Sequence, residues 1–556
     1  MTIRVFAEVL RDIKKSTFAK LAYVVYNSAP SLPATPVPES VLPARLARLL
    51  HNRDYREGLA WDQYQKYDQR LAKVDDPLAS EDASPLLQGI PVLHVEPITS
   101  RFVHRFPEDA LESLRAQELD VILRFGFNIL RGGILQAAKH GVWSFHHGDN
   151  DFYRGGPAHF WELHEGNPVS GVILQVLTEK LDDGYVLAKG VFATDPGLSV
   201  ARNRVQPYWG SQHFVIQKLW ELHQYGPEHL TRTAIPAAPY KGKKKIYRRP
   251  SNSELLGWLG PRLIGKTIGR IKTRLNASKL VDHWRIAIRT CGIHVIDTDE
   301  KTRMDGFRWL DSPKGHAWTD PFLFERDGQY WLFFEDYLYA QKRGTLACAP
   351  LSSEGVMGEP RTILDTGSHA SYPYIFSDDD AIYMIPETRA LKTVRLYQAV
   401  EFPYKWEPVR DLFSGQAVDT SIWKQDGLWW FFTTLLEPRG RGAFLYLYSA
   451  ETLTGKWKLH PMNPICYDVR RARGAGAIHR HGDKLLRPSQ DCSKRYGYSF
   501  SLNEIVKLTP DEYEERPLVT VEPTWASGLR TTHTYNRLGR IEVTDGTKLV
   551  PIGGVA

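Results

Sequence analysis

Cysteine is scarce: a chain of 556 residues holds only Cys291, Cys348, Cys466 and Cys492, widely spaced and with no Cys-x-x-Cys pair. That spacing excludes a zinc knuckle and a disulfide framework as organising elements. Long apolar runs are missing too, and none approaches the ~20 residues that a membrane-crossing helix needs. Met1-Thr2-Ile3-Arg4 lacks the charged-then-apolar layout of a secretory signal, so the cytoplasm is the expected address. Nor is charge strongly one-sided. A net +7 is mild for this length and gives no ground for a nucleic-acid partner.

The positive excess is local. Residues 241–249, Lys-Gly-Lys-Lys-Lys-Ile-Tyr-Arg-Arg, carry six basic groups and no acid. Residues 254–275 then set Leu255, Leu256, Trp258, Leu259, Leu263, Ile264, Ile268, Ile271 and Leu275 among Arg262, Lys266, Arg270, Lys272 and Arg274. A basic helix with an apolar side can rest on an anionic bilayer, here at the inner face of the membrane, through 241–275. The same pattern fits an interdomain helix with a solvated basic face.

Length allows two to four domains. Three segments are expected: an α/β domain over 1–240, a basic helical linker over 241–290, and a five-bladed β-propeller over 291–556. In the first, 2–8 and 21–26 read as short strands, 44–75 as a polar helix, 90–95 as a strand and 108–117 as a helix. Strand 120–125, helix 132–140 and strand 141–146 follow, a rhythm that points to a mostly parallel sheet covered on both faces. Ligands of such sheets collect at strand carboxyl ends, where His146 falls.

Aromatic residues gather in the second half, in runs such as Tyr330-Trp331-Leu332-Phe333-Phe334 and Trp429-Trp430-Phe431-Phe432. Rings at that density suit packed strands. Units of strand, acidic or glycine turn, and strand recur about every 50 residues, starting at Asp320, Tyr372, Asp419 and Gly476, as propeller blades do. A fifth blade is expected from 525–550, closed by strands from 292–310. Asp327-Gly328 and Asp426-Gly427 are turn residues.

Ser144 to Leu187 carries the densest set of motifs. Ser144-Phe145-His146 ends a strand, Tyr153-Arg154-Gly155-Gly156-Pro157 follows after a loop, and Lys180-Leu181-Asp182-Asp183-Gly184 closes the stretch. Over roughly 88–225 the chain resembles the folate-dependent formyltransferases, which act on methionyl-tRNA, glycinamide ribonucleotide or amino sugars. The resemblance implies a formyltransferase-like fold and one-carbon acyl transfer to an amine. His146 and Asp182 would take the family's catalytic positions, with Ser144 where the family has Asn. Phe125, Gly126, Phe127, Asn128 and Asp183 would receive 10-formyltetrahydrofolate, and His147, Asp149, Asn150, Asp151, Tyr153 and Arg154 the acceptor. Formyl transfer needs a donor for the developing oxyanion and a base for the attacking amine. Ser144 departs from the pattern, and losing one oxyanion donor costs about 10²–10³ in rate.

In the second half, Ser371-Tyr372-Pro373, Met384-Ile385-Pro386-Glu387-Thr388, Arg487-Pro488-Ser489-Gln490-Asp491-Cys492 and Tyr496-Gly497 carry a second resemblance, over roughly 300–520. They are similar to the N-terminal module of glucosamine inositolphosphorylceramide transferases. The blade pattern also looks like that of five-bladed glycosidases, which set acid and base carboxylates at inner blade ends. Asp320, Glu335, Glu387, Asp419 and Asp491 are the candidate acids, with His316, Arg389 and Arg487 as sugar or phosphate ligands. Tyr372 stands where those glycosidases carry an Asp.

The main expectation is therefore a formyltransferase acting on an amino sugar, nucleotide- or lipid-linked, in surface polysaccharide or glycolipid biosynthesis, with the propeller holding or processing the glycan. The alternatives are a propeller-centred glycosyltransferase or glycosidase beside a degenerate transferase domain, and a non-catalytic glycan-binding scaffold. No metal is expected.

Overall fold

A computed structural model describes residues 2–28, 56–100, 102–179, 184–236, 238–275, 280–436 and 443–554. The chain divides into two compact units, Met1–Ile268 and Gly269–Ala556.

The first unit is a set of small sheets held by short helices. Its largest sheet has four strands in the order Tyr185–Ala193, Val169–Val176, Val142–His146, Ile122–Arg124. The first two pairings are antiparallel, and only Ile122–Arg124 with Val142–His146 is parallel. Val24–Asn27 and Val92–Val95 form a separate parallel pair, and Ile98–Ser100, Val103–Arg105 and Ile129–Leu130 a third sheet. The expected fold class does not hold. Among the described residues no continuous, mostly parallel α/β sheet of formyltransferase type precedes the β-module, and antiparallel sheets dominate.

Two local differences explain part of this. Residues 4–15, expected to contain a strand, are a helix whose buried Val5, Val9 and Ile13 recur every four residues, the period of one helix face. The expected 132–140 helix is one 3₁₀ turn, Gly133–Gln136. Gly132 before it has a φ of +79°, and a Cβ on Gly133 would lie 2.6 Å from Leu111 Cδ1. Residues 29–55, most of the Pro-rich stretch and part of the expected 44–75 helix, lie outside the described residues; Leu59–Ala72 is helical.

Among the described residues the second unit holds five antiparallel sheets, four of four strands and one of five, in the succession of propeller blades. The first runs His316–Arg326, Gln329–Leu338, Arg343–Leu351 and Arg361–Leu364. The second is Ser371–Asp378, Ala381–Glu387, Thr393–Glu401 and Lys405–Ser414; the third is Ala417–Gln425, Leu428–Leu436, Ala443–Ala450 and Lys458–Leu459. In the fourth, Arg473–Gly474 and His479–His481 both pair with Lys484–Asp491, followed by Ser499–Leu508 and Tyr513–Val521. Two-residue turns at 327–328, 379–380 and 426–427 close the first hairpins of blades one to three. Asp327, Gly328, Asp379, Asp426 and Gly427 have positive φ there, which gives the turn twist that matches twisted strands.

The last blade joins the ends of the unit. Leu280–Thr290 pairs antiparallel with Ile541–Pro551 along eleven register positions, flanked by Arg308–Trp309 and Tyr535–Leu538. The closing strand thus comes from 280–290, inside the segment expected as a linker; the 292–310 stretch supplies only the short Arg308–Trp309 strand. Apolar side chains pack between neighbouring blades. Phe322, Phe333, Tyr374, Met384, Leu396 and Phe431 share one core, and Ile286, Ile288, Trp318, Phe334, Ile541 and Val543 another.

Candidate functional site

Most of the first unit's expected site residues that are described make internal contacts. The Arg124 guanidinium donates to Ser144 Oγ at 2.9 Å, to the Phe127 carbonyl at 2.9 Å and to the Asn128 carbonyl at 3.2 Å. Ser144 is therefore a buried partner of an arginine, not a free oxyanion donor. His146 Nε2 lies 2.8 Å from the Tyr153 carbonyl. Asp182 and Asp183 lie outside the described residues. Phe125 stacks on Phe6 at 4.3 Å, Phe127 packs on Phe106 at 5.1 Å, and the Asn128 side chain meets His104 at 3.1 Å.

The loop after His146 is likewise built in. Lys189 Nζ lies 2.7 Å from both Asp149 and Asp151, so the two loop acids share one ion-pair partner. His147 stacks on Tyr208 at 3.6 Å, and burial pushes its imidazole well below the usual histidine range. The Asn150 carbonyl accepts from Arg154, whose guanidinium lies 4.6 Å over the Tyr240 ring. Tyr153 is buried and takes a hydrogen bond from Asn167 at 3.2 Å. The expected one-carbon transfer is overturned: the oxyanion position is occupied by an internal contact, and the sheet lacks the required topology. The 10-formyltetrahydrofolate donor is implied by that reaction alone.

The second unit does bring its acids together. Asp320, Tyr372 and Asp419 occupy the same step of the innermost strand in three successive blades. Each adopts a left-handed φ, +50°, +48° and +49°, inside a bulge where two residues drop out of the strand pairing. Non-glycine residues there cost about 1–3 kcal/mol each and persist only where surrounding contacts enforce them. Bulges re-aim side chains. Here they turn Asp320 and Asp419 into one buried electrostatic cluster with Glu335, Glu387, Arg473, His533 and Asp545.

Hydrogen bonds hold the cluster from blade to blade. The Asp545 carboxylate accepts from His533 Nδ1 at 2.7 Å, Thr319 Oγ1 at 2.7 Å, and the backbone N–H groups of Asp320 at 2.9 Å and Thr534 at 3.0 Å. Asp320 in turn accepts from Tyr372 N–H at 3.2 Å and meets His533 Nε2 at 3.3 Å. Asp419 pairs with Arg473 and accepts from Gln490 Nε2 at 3.2 Å. The relay stops at Tyr372, which has no carboxylate to offer the third blade. Its hydroxyl instead takes a hydrogen bond from Gly476 N–H at 2.7 Å and lies 3.0 Å from Ser421 Oγ.

Two glycines make room. A Cβ on Gly344 would sit 2.3 Å from Glu335 Oε1, and one on Gly474 would sit 2.5 Å from the Asp419 carbonyl.

The charges split by environment. Burial would push Asp545 up, but the His533 charge and the hydrogen bonds outweigh it and hold Asp545 below its ordinary range. Burial, against the opposing His533 charge and with Asp545 and Asp419 nearby, lifts Asp320 to about 7. Burial and then the neighbouring Asp320 and Glu387 carboxylates hold Glu335 well above the usual range. Burial and Asp419, only partly offset by Arg473, do the same to Glu387. The site therefore combines an ion-paired carboxylate held low with neighbouring carboxyls pushed up, the kind of divergence that separates base from acid roles.

The other expected propeller residues fall elsewhere. His316 Nδ1 binds Asp336 at 2.9 Å and touches none of the axial acids. Arg389 is exposed in a 3₁₀ turn; its charge, after burial, helps push down His369, which stands 3.8 Å from Glu335. Arg487 is buried and bidentate on Glu515, both contacts at 2.8 Å, so it braces the fourth blade. Asp491 caps a turn by accepting from Ser493 N–H at 2.7 Å. Arg473, Gln490, His533 and Asp545 are the site residues the sequence reading missed. Gln490 lay inside a quoted motif, and Asp545 shares its strand with a second acid, Glu542.

Asp320, His533 and Asp545 also present ligand atoms within 4.8 Å of one another. All three are engaged in the contacts above, so a balanced ion-paired group accounts for them.

The comparisons with known proteins fall on this unit. Residues 312–545 match the family described as "Glucosamine inositolphosphorylceramide transferase 1, N-terminal". The curated protein of that name from Oryza sativa subsp. japonica is 35% identical over 205 residues, 36% of this chain and 28% of its own length. That from Arabidopsis thaliana is 32% identical over 204 residues, 35% of this chain and 26% of its own. The chain thus spans little more than a quarter of the length of the curated relatives it matches. Among solved structures, the catalytic domain of the Coprinopsis cinerea GH62 alpha-L-arabinofuranosidase is similar over 48% of this chain and 97% of that one, with 12% identity and a TM-score of 0.34. The GH43 beta-xylosidase/alpha-arabinofuranosidase CoXyl43 from a compost metagenome is similar over 43% and 93%, with 14% identity and a TM-score of 0.30.

Proposed function

We propose that this protein is carbohydrate-active through its propeller, making or breaking a glycosidic bond at the axial acid cluster. One observation carries the reading: the innermost strands deliver Asp320 and Asp419 beside Glu335 and Glu387, with an ion-paired carboxylate next to carboxyls that burial and like charge push up. Glycosyl chemistry needs that pairing, a proton for the leaving oxygen and a carboxylate to meet the anomeric carbon or deprotonate the acceptor. Glu335 and Glu387 supply the proton donors. Asp419, oriented by Arg473 and Gln490, supplies the carboxylate. The curated relatives are named for glucosamine transfer to inositolphosphorylceramide, which favours a sugar-lipid or a nucleotide sugar as substrate here too. The first unit takes no part in the chemistry.

The test is turnover of the full chain on a panel of nucleotide sugars with phosphoinositol-type lipid acceptors, together with aryl glycosides. Release or transfer of sugar that disappears in Glu387→Gln supports the reading. Glycan binding without turnover in any combination assigns a binding module instead.

A further inference from the structure

The helix Asn252–Leu275 turns two unlike faces to its surroundings. On one, Leu255 and Trp258 are buried in a core with Phe160, Trp161 and Tyr247, and Trp258 Nε1 donates to the Leu163 carbonyl at 3.3 Å. Its start is pinned as well. Asn252 Oδ1 accepts from Ala60 N–H at 2.9 Å, and Glu254 accepts from Ser251 N–H at 2.9 Å and Lys244 at 2.6 Å.

The other face has the wrong polarity for water. Leu256, Leu263, Ile264 and Ile268, at i, i+7, i+8 and i+12, are 59%, 49%, 61% and 47% exposed. Positions 257, 260 and 267 on the same stripe are Gly, Gly and Thr, and a Cβ on either glycine would meet open space. A docked helix in a soluble domain normally shows charge on its outer side. This stripe has none from 256 to 268.

Charge gathers in the segment that leads into the helix. Lys241, Lys245 and Arg248 are exposed, and among the described residues none of the three has a carboxylate partner. Ile246, between them, is 44% exposed. Residues 241–275 together hold eleven basic residues and one acid, which selects an anionic partner. No helix among the described residues is long and apolar enough to cross a membrane, so the stripe is suited to lie on a bilayer.

We propose that the 252–268 stripe and the 241–249 strap form a membrane-surface element. The four aliphatic side chains enter the headgroup–acyl boundary while the strap meets anionic headgroups. This holds whatever the propeller catalyses.

The test is co-sedimentation of the full chain with vesicles of phosphatidylcholine containing about 30% phosphatidylserine, against phosphatidylcholine alone. Binding should be at least about tenfold tighter on the anionic vesicles and weaken in ~0.5 M salt. Leu263→Asp with Ile264→Asp should cut it at least about tenfold with an unchanged melting profile, since both side chains are exposed. Lys241→Glu with Lys245→Glu and Arg248→Glu should remove the preference for anionic lipid. Equal or absent binding to both vesicle types, full binding by the double-aspartate variant, or a dimer in solution that the same two substitutions dissolve would each overturn the proposal, the last by assigning the stripe to a second copy of the chain.

Discussion

The backbone N–H of Asp320 donates to the Asp545 carboxylate at 2.9 Å, joining the first blade of the propeller to the strand that closes it. Asp545 is also the partner of His533 and of Thr319, so one carboxylate ties chain segments more than 200 residues apart.

Asp545→Asn is expected to destabilise the propeller. The substitution removes the nearer of the two carboxylates that face the buried His533 imidazole and leaves only Asp320; breaking a buried pair outright costs about 3–5 kcal/mol, which sets the upper limit. Scanning calorimetry of the full chain should show one transition lowered by several degrees. An unchanged profile would mean the closure rests on strand pairing alone.

Stability should depend on pH through Asp320. Its folded-state value of about 7 exceeds the ordinary 3.8, so the folded chain keeps a proton that the unfolded chain has released. Stability therefore falls as pH rises from about 4 to about 7. Asp545, held low, acts the other way: its contribution is present above its unfolded value and is lost as pH falls through its folded one. Asp320→Asn should flatten the slope between pH ~5 and ~7, read from thermal unfolding at a series of pH values.

Gly344→Ala should damage the site without removing any ionisable side chain. The added Cβ would meet Glu335 Oε1 at 2.3 Å and the Ala370 carbonyl at 2.6 Å, so Glu335 must move. Overpacking of this kind costs about 1–3 kcal/mol. Turnover should fall well beyond what the stability change explains; retained turnover would remove Glu335 from the chemistry.

Tyr372→Phe deletes the hydroxyl that serves Gly476 N–H and Ser421 across the blades. Leaving a buried N–H unpaired costs about 1–3 kcal/mol. The loss is measured by denaturant unfolding, and Ser421→Ala should cost less, because Ser421 Oγ keeps no backbone donor waiting.

Much of the propeller was legible because its units repeat. Asp320, Tyr372 and Asp419 stand at one step of a ~50-residue period, and that step is the axial bulge. Repetition fails at the ends. The last blade is assembled from 280–290 and 535–551, so His533 and Asp545 had no repeat to mark them, and Arg473 sits on a two-residue strand. In the first unit, short motifs at family spacing misled. Ser144-Phe145-His146 matched in order, but spacing says nothing of hydrogen-bond partners, and Arg124 and the Tyr153 carbonyl take those side chains. The 4–15 helix is missed in a window ending at residue 8, which contains only Val5 of the Val5, Val9, Ile13 series and so none of its four-residue steps.

The most direct test compares turnover of Asp419→Asn, Glu387→Gln and His146→Ala, each in the full chain, on whichever glycosyl substrate the unaltered protein accepts. The account predicts that the two propeller variants lose turnover by at least about a hundredfold while keeping their fold, and that His146→Ala stays within about twofold of the unaltered protein. Full activity in both propeller variants, with loss in His146→Ala, would contradict it.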